Sequence, residues 1–195
     1  RRSSDLKKKA ASRRARPLDL VLIRSGSGDV FVQQADLEEA VLLKVVHDLH
    51  ELRVLHFRLG ADEDALLAAG AAAQGLPSSD DEYDTVVASG EQVTAGLLAM
   101  TLRNMGLNAR SWMGWQVPIV TDDAHGRARI VDIPGETLGA AVDAGEIAVV
   151  PGFQGVTPGG KITTLGRGGS DTSAVAVAAA LQCPCDIYTD VDGVY

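Results

Sequence analysis

The sequence predicts an α/β fold built on a largely parallel sheet covered by helices on both faces. Short runs rich in Val, Ile and Leu alternate with Ala- and Leu-rich stretches of helical period. The chain is 46% hydrophobic but only 4% aromatic over 195 residues, with Ala, Val, Leu and Gly dominating. That length and composition support one sizeable core. No internal repeat interrupts the alternation.

The elements follow in order. Leu18 to Ile23 reads as a short buried strand, broken by Arg24-Ser25-Gly26-Ser27-Gly28-Asp29. Residues 34–52 have helical spacing, with Leu37, Val41, Val45 and Leu49 on one face. Val54 to Leu59 reads as a second strand and 61–74 as a helix. Gly75 to Asp81 is a polar connection. Thr85-Val86-Val87-Ala88 reads as a compact strand running into Ser89-Gly90-Glu91, and a helix follows from 91 to 105, stopped by Gly106. Asn108 to Trp112 is the next strand, 114–127 a long polar loop, and Arg129 to Asp132 a short strand. Residues 136–144 form a short helix, Ile147 to Val150 a buried strand, and Pro151 to Lys161 a Gly-rich loop. Helix 170–182 and strand 185–189 complete the pattern. In such sheets ligands sit beyond the carboxyl ends of the strands. The loops at 24–29, 89–91, 151–171 and 190–195 are therefore expected at one edge.

Charge is divided unevenly. Residues 1–16 carry Arg1, Arg2, Lys7, Lys8, Lys9, Arg13, Arg14 and Arg16 against Asp5, a charge of +7. The whole chain carries −8, so the remainder carries −15. A body this acidic excludes nucleic acid as its partner. The arm reads as a solvated extension, with a targeting peptide or nucleic-acid tail as alternatives. No apolar stretch approaches the roughly 18 residues of a membrane-spanning helix. Cys183 and Cys185, separated only by Pro184, are too close to favour a disulfide, and a cytoplasmic protein is expected. The first and last residues, Arg1 and Tyr195, read as cut ends, so the domain is expected to be truncated.

One run carries the clearest chemistry: Thr163-Thr164-Leu165-Gly166-Arg167-Gly168-Gly169-Ser170-Asp171-Thr172-Ser173. A Gly-rich turn feeding a helix presents unpaired N–H groups and the positive end of the dipole to an anion. Arg167 adds a planar fork suited to carboxylate or phosphate. The plainer reading is an N-cap by Ser170 or Asp171. Glu91 stands at another helix start, where it suits a ligand or simply its own helix dipole. Thr189-Asp190-Val191-Asp192-Gly193-Val194-Tyr195 reads as an Asp-Gly turn, or as a strand end suited to nucleotide or hydrated Mg²⁺. Trp112, Trp115, Gln116 and Thr121-Asp122-Asp123 look like a loop anchored by two rings. His47 and His50 lack a third ligand, and His56 and His125 are lone. No residue is assigned as a dedicated metal ligand.

These motifs together resemble bacterial aspartokinase. The resemblance is carried by Ser89-Gly90-Glu91-Gln92-Val93, Gly114-Trp115-Gln116, Thr121-Asp122-Asp123-Ala124-His125-Gly126, Pro151-Gly152-Phe153-Gln154-Gly155-Val156, Thr163 to Asp171, and Asp186 to Tyr195. It spans residues 82–195 in the family's order. It implies the amino-acid-kinase fold, a three-layer αβα sandwich with a mostly parallel central sheet. It also implies transfer of the γ-phosphoryl group of ATP, with Mg²⁺, to the side-chain carboxylate of L-aspartate. That step opens lysine, threonine and methionine biosynthesis.

By this resemblance Arg167 holds the α-carboxylate of aspartate and Glu91 its ammonium group. Gly168, Gly169 and Ser170 offer backbone N–H groups to substrate or phosphate. Asp171 orients the cation at the phosphoryl site. Thr189, Asp190, Gly193 and Tyr195 contact ATP. Arg24, with Gly26, Ser27 and Gly28, takes the place of the family's Lys-Phe-Gly-Gly-Thr-Ser segment. Arg24 keeps the lysine's charge but not its compact ammonium, and Asp29 adds a negative charge nearby. Val54 to Leu59 replaces the family's Val-Ser-Ala-Met motif, so residues 17–81 resemble the family in layout more than in letters.

The expected organisation is thus a basic arm (1–16), then an incomplete kinase domain (17–195) without the paired ACT regulatory domains. A homo-oligomer or a regulatory subunit is the expected assembly. Two other functions remain open: a relative that binds aspartate or a partner subunit without turnover, and a kinase acting on glutamate or a carbamate.

Overall fold

The computed structural model describes residues 19–25, 28–34, 70, 73, 75 and 80–188. Its larger sheet has five strands in the order β3-β6-β2-β1-β9, namely Ala109–Ser111, Ile147–Pro151, Gly28–Gln34, Asp19–Ser25 and Cys185–Tyr188. Pairing is parallel for β3 with β6 and for β1 with β9, and antiparallel for β2 with both neighbours. Four strands therefore share one direction and β2 alone opposes them.

Four helices are described: α1 (Asp81–Val87), α2 (Ser89–Asn104), α3 (Glu136–Asp143) and α4 (Gly169–Leu181). Helix α2 packs on β2, β3 and β6, α3 on β6, and α4 on β1, β2 and β9. All five residues of β6 are buried, as a strand requires when both faces of its sheet are covered. Alternation explains how. Ala148 and Val150 join Leu138 and Val142 of α3 and Ala174, Val177 and Ala178 of α4 in one cluster. Ile147 and Val149 point to the opposite face, where α2 buries Ala95, Leu98, Ala99 and Leu102. This is the three-layer arrangement.

A smaller sheet of order β5-β4-β7-β8 sits beside it: Ile130–Asp132, Val120–Thr121, Gln154–Val156 and Ile162–Thr164. Helix α1 packs on β8. Two stretches expected as loops thus hold short strands, β4 within 114–127 and β7 within 151–161. Thr163 and Thr164, expected in the Gly-rich turn, belong to β8.

Two further expectations are corrected. Thr85 to Val87 is helix, with Ala88 as its C-cap, and not strand. Asp80 caps it by accepting from the Glu82 N–H at 2.9 Å, and Asp81, Glu82 and Asp84 stand in the first turn, where the dipole favours acids. These local signals outweigh the β preference of Val86-Val87. Secondly, β1 runs on through Arg24 to Ser25, and Ser25 pairs with Gly28. Arg24, Gly28 and Asp29 are therefore strand residues of a hairpin, not a loop that ends the strand. The alternating Val30 and Val32 of β2 have the β-branched pattern of a strand, whereas a helix was expected to begin at residue 34. The expected helix 35–52, the strand 54–59 and His47, His50 and His56 lie outside the described residues. So do the arm, Gly26, Ser27, Thr189, Asp190, Gly193 and Tyr195.

Candidate active site

The site follows from the way helices feed strands. Helix α2 enters β3 after residues 105–108, and α4 enters β9 after residues 182–184. A helix that packs on the strand it feeds, across so short a link, runs antiparallel to that strand. The N-termini of α2 and α4 therefore both lie at the carboxyl edge of the sheet, from opposite faces. At that edge the register places Ser25 and Gly28 of the hairpin, Pro151 of β6 opposite Val30, and Tyr188 of β9 opposite Ile23. Two positive dipole ends thus converge at the position expected for a ligand.

Glu91 lies in the first turn of α2 and is only 7% exposed. It does not follow a strand as expected. Ala88 closes α1 and opens α2, and Ser89 Oγ donates to the Val86 carbonyl at 2.7 Å. On the opposite side α4 begins with Gly168 as its cap in the left-handed conformation (φ 72°), with no side-chain cap bond. Neither Ser170 nor Asp171 is the N-cap. Both stand inside the first turn, Ser170 buried and Asp171 half-buried. Arg167 is exposed on the turn ahead of the helix, next to Gly168, while Gly169 is buried. This frees the first N–H groups of α4 from side-chain capping.

The two helix starts are joined by residues 153 and 154, which sequence reasoning did not single out as site residues. Gln154 is 1% exposed. Its Nε2 donates to the Ala88 carbonyl at 3.1 Å and its Oε1 accepts from Gln92 Nε2 at 2.9 Å, tying β7 to the start of α2. Phe153 has φ 66°, a left-handed conformation that a non-glycine residue rarely adopts. Its N–H donates to Ser173 Oγ of α4 at 3.2 Å, and its carbonyl accepts from the Leu165 N–H at 2.8 Å. A Cβ on Gly169 would stand 2.8 Å from Leu165 Cβ and 3.0 Å from Phe153 Cδ2. Glycine is therefore needed where the helix start approaches this turn. No local signal in the sequence marks this turn, because its left-handed Phe is imposed by partners distant along the chain.

The remaining polar groups lie near the small sheet. Asp84 is fully buried on α1 and bonds His125, Gly126 and Thr164, so His125 is not the lone residue expected. Lys161 Nζ pairs with Asp81 at 2.6 Å. That contact holds the Asp81 carboxyl below its ordinary value and the Lys161 ammonium above its own. Burial, then Asp186 and Asp171, raise the Cys185 thiol. Of the two expected ring anchors only Trp112 is buried, with Nε1 donating to Glu146 at 2.8 Å, whereas Trp115 is 46% exposed. A cleft of about 500 Å³ includes Thr121, Asp122, His125, Thr157 and Lys161 in its lining, but none of the predicted site residues.

The sequence signature of the amino acid kinase family matches residues 8–195. The chain belongs to the amino acid kinase family. Among its relatives, aspartokinase 2 of Bacillus subtilis strain 168 is 48% identical over 147 residues, covering 75% of this chain and 36% of that protein. An aspartokinase of Geobacillus stearothermophilus is 45% identical over 155 residues, covering 79% and 38%. Aspartate kinase of Pseudomonas fluorescens SBW25 is 56% identical over 115 residues, covering 58% and 28%.

Among solved structures, E. coli aspartokinase III in complex with aspartate and ADP matches with TM-score 0.58 and 32% identity, over 74% of this chain and 32% of that one. The same enzyme with lysine and aspartate matches with TM-score 0.57 and 28% identity, over 87% and 40%. The three-layer αβα sandwich is thus the amino-acid-kinase fold. The chain spans well under half the length of each of these relatives. Among the described residues, no helix is long and apolar enough to cross a membrane. No group of three or more His, Cys, Asp or Glu among them is placed to hold a metal ion.

Proposed function

We propose that this chain carries the aspartate-binding half of an aspartate kinase catalytic domain, which makes 4-phospho-L-aspartate from ATP and L-aspartate. The observation that carries the reading is the convergence of two helix N-termini on one sheet edge. Glu91 stands in one, and Arg167-Gly168-Gly169-Ser170-Asp171 form the other. Relatives named aspartokinase, and a neighbour solved with aspartate and ADP, support it.

In this reading the buried Glu91 carboxylate receives the substrate ammonium. The Arg167 guanidinium pairs with its α-carboxylate. The N–H groups of Gly168 and Ser170 line the anionic end of the site, beside Gly169, whose own N–H donates to the Gly166 carbonyl at 3.0 Å, and the α4 dipole lowers the cost of bringing two anions together there. The acceptor carboxylate is ionised at neutral pH, so no general base is required, and catalysis reduces to positioning and charge stabilisation. Mg²⁺ on the nucleotide supplies charge neutralisation at the phosphates. It takes few protein carboxylates, so the single half-buried Asp171 fits as its protein contact. Arg24, Gly26, Ser27, Gly28, Thr189, Asp190, Gly193 and Tyr195 complete the nucleotide side of the proposal. Residues 17–195 act as the kinase domain after a basic arm at 1–16, in a cytoplasmic enzyme working with further copies or a regulatory subunit.

The test is ATP- and Mg²⁺-dependent formation of aspartyl phosphate by the full-length protein, trapped as a hydroxamate. Loss of the signal in Arg167→Ala, with wild type active, supports the reading. A wild-type protein that forms no hydroxamate from aspartate, or forms it from glutamate instead, defeats it.

A further inference from the structure

Asp84 is the one fully buried acidic side chain among the described residues. Its Oδ1 accepts from Thr164 Oγ1 at 2.6 Å and from the Gly126 N–H at 3.1 Å. Its Oδ2 accepts from His125 Nδ1 at 2.8 Å and from the N–H groups of Thr164 and Gly126, both at 3.1 Å. A buried carboxylate persists only where hydrogen bonds replace its hydration. Here four donors from the 125–126 turn and the end of β8 meet on one residue of α1. An amide fits this nest poorly, because its NH₂ group would face a donor where Asp84 presents a second acceptor.

The contacts lead directly to Arg167. Thr164 is three residues ahead of it, and its carbonyl accepts from the Ala128 N–H at 2.8 Å. Leu165 is held by the Phe153 carbonyl. Gly166 then turns left-handed (φ 76°), so close to the second segment that a Cβ there would stand 3.2 Å from the Gly126 carbonyl oxygen. The Arg167 turn therefore rests on the same two segments that Asp84 clamps together.

We propose that Asp84 is a positioning residue for aspartate binding: by clamping Thr164 to the 125–126 turn it sets where the Arg167 turn presents its guanidinium. This rests on the aspartate kinase reading for its substrate, but not for its structural content. Asp84 touches no reactant and acts through Thr164 and Gly166.

The experiment uses the full-length protein and compares Asp84→Asn, Thr164→Val and Thr164→Ser, with Asp81→Asn on the same helix as control. Asp84→Asn and Thr164→Val are expected to raise KM for aspartate on the order of tenfold to a hundredfold, with KM for ATP near wild type. Thr164→Ser, which keeps the hydroxyl donor, and Asp81→Asn keep KM for aspartate near wild type. Amide hydrogen exchange provides a readout without substrate, and Asp84→Asn is expected to accelerate exchange selectively over residues 164–171. Unchanged exchange there overturns the proposal, as does acceleration spread evenly over the fold or an equal rise in both KM values. If the wild type phosphorylates no aspartate, the functional reading fails while the exchange experiment still decides the role of Asp84.

Discussion

Gln154 reaches from β7 to the carbonyl of Ala88, 3.1 Å away, at the one residue that both closes α1 and opens α2. Ala88 is 0% exposed and Gln154 1%, so water does not replace this bond when it is lost. Through it the loop beside α4 fixes the start of α2, three residues ahead of Glu91.

Gln154→Leu should accordingly act on stability and substrate binding together. It leaves the Ala88 carbonyl with only the longer bond from the Gln92 N–H, at 3.4 Å, and removes the partner of Gln92 Nε2, a cost of about 1–3 kcal/mol for poorly satisfied buried groups. Urea unfolding should report that loss. KM for aspartate should rise because the turn carrying Glu91 is released. Unchanged aspartate affinity at reduced stability would mean that α2 holds its own N-terminus.

The pattern of this site was legible where it is local. A Gly-rich run ahead of an Ala-rich helix marks a helix start, and Glu91 in the first turn of a long helix is equally visible in the letters. What escaped depends on distant partners. The residues that hold Asp84 lie 41, 42 and 80 positions away, and no spacing rule links them. The valine pair at 86–87 favoured a strand, but its helix is set by the Asp80 cap and by an Asp84 that must face β8. Strand β2 was hidden because Gly28 and Asp29 at its start read as turn residues, and its antiparallel pairing is non-local. Phe153 was overlooked because its left-handed turn is imposed by the bonds to Leu165 and Ser173.

The two glycines at the start of α4 should separate strain from contact. Gly168 is left-handed with nothing within 4 Å of an added Cβ. Gly168→Ala should therefore cost about 1–2 kcal/mol of backbone strain while leaving Phe153 in place. Gly169→Ala instead drives a methyl against Leu165 Cβ and the Phe153 ring, at 2.8 and 3.0 Å. That overpacking costs about 1–3 kcal/mol and displaces the Phe153 turn. Aspartate KM should rise more in Gly169→Ala than in Gly168→Ala, as steady-state kinetics on both variants would show.

The Asp81–Lys161 pair gives a signed pH dependence. Asp81 is held below its ordinary 3.8, chiefly by the hydrogen bond from Lys161. Its contribution is thus fully present above 3.8 and lost as pH falls through the lower folded value. Lys161 is held above its ordinary 10.5 by the same contact, so its contribution is present below 10.5 and lost as pH rises beyond it. Lys161 is 59% exposed and Asp81 33%, and solvent and salt screen such a pair. Thermal melts of wild type and Asp81→Asn should differ slightly at neutral pH and low salt. That difference should close in acid or in molar salt. A gap that persists in acid, where the Asp81 carboxyl is neutral, would assign the effect of Asp81 to something other than its charge.

Arg24 offers the sharpest test of turnover. It lies in β1 opposite Asp29, one residue before the hairpin turns at the carboxyl edge of the sheet. An ammonium concentrates its charge on one nitrogen, whereas a guanidinium spreads it over a planar fork that favours bidentate partners. A transferring phosphoryl group spreads its charge over three oxygens, and the family segment whose place this hairpin takes by resemblance meets that charge with a lysine ammonium rather than a guanidinium. In the full-length protein, Arg24→Lys should therefore raise kcat about tenfold, or roughly 1.4 kcal/mol of transition-state stabilisation. KM for aspartate should stay unchanged, since the contacts proposed for that substrate are Glu91 and Arg167 on the other elements of the site. An unchanged or reduced kcat in Arg24→Lys would mean that this hairpin has accommodated the guanidinium. Phosphoryl charge would then be met by the fork itself.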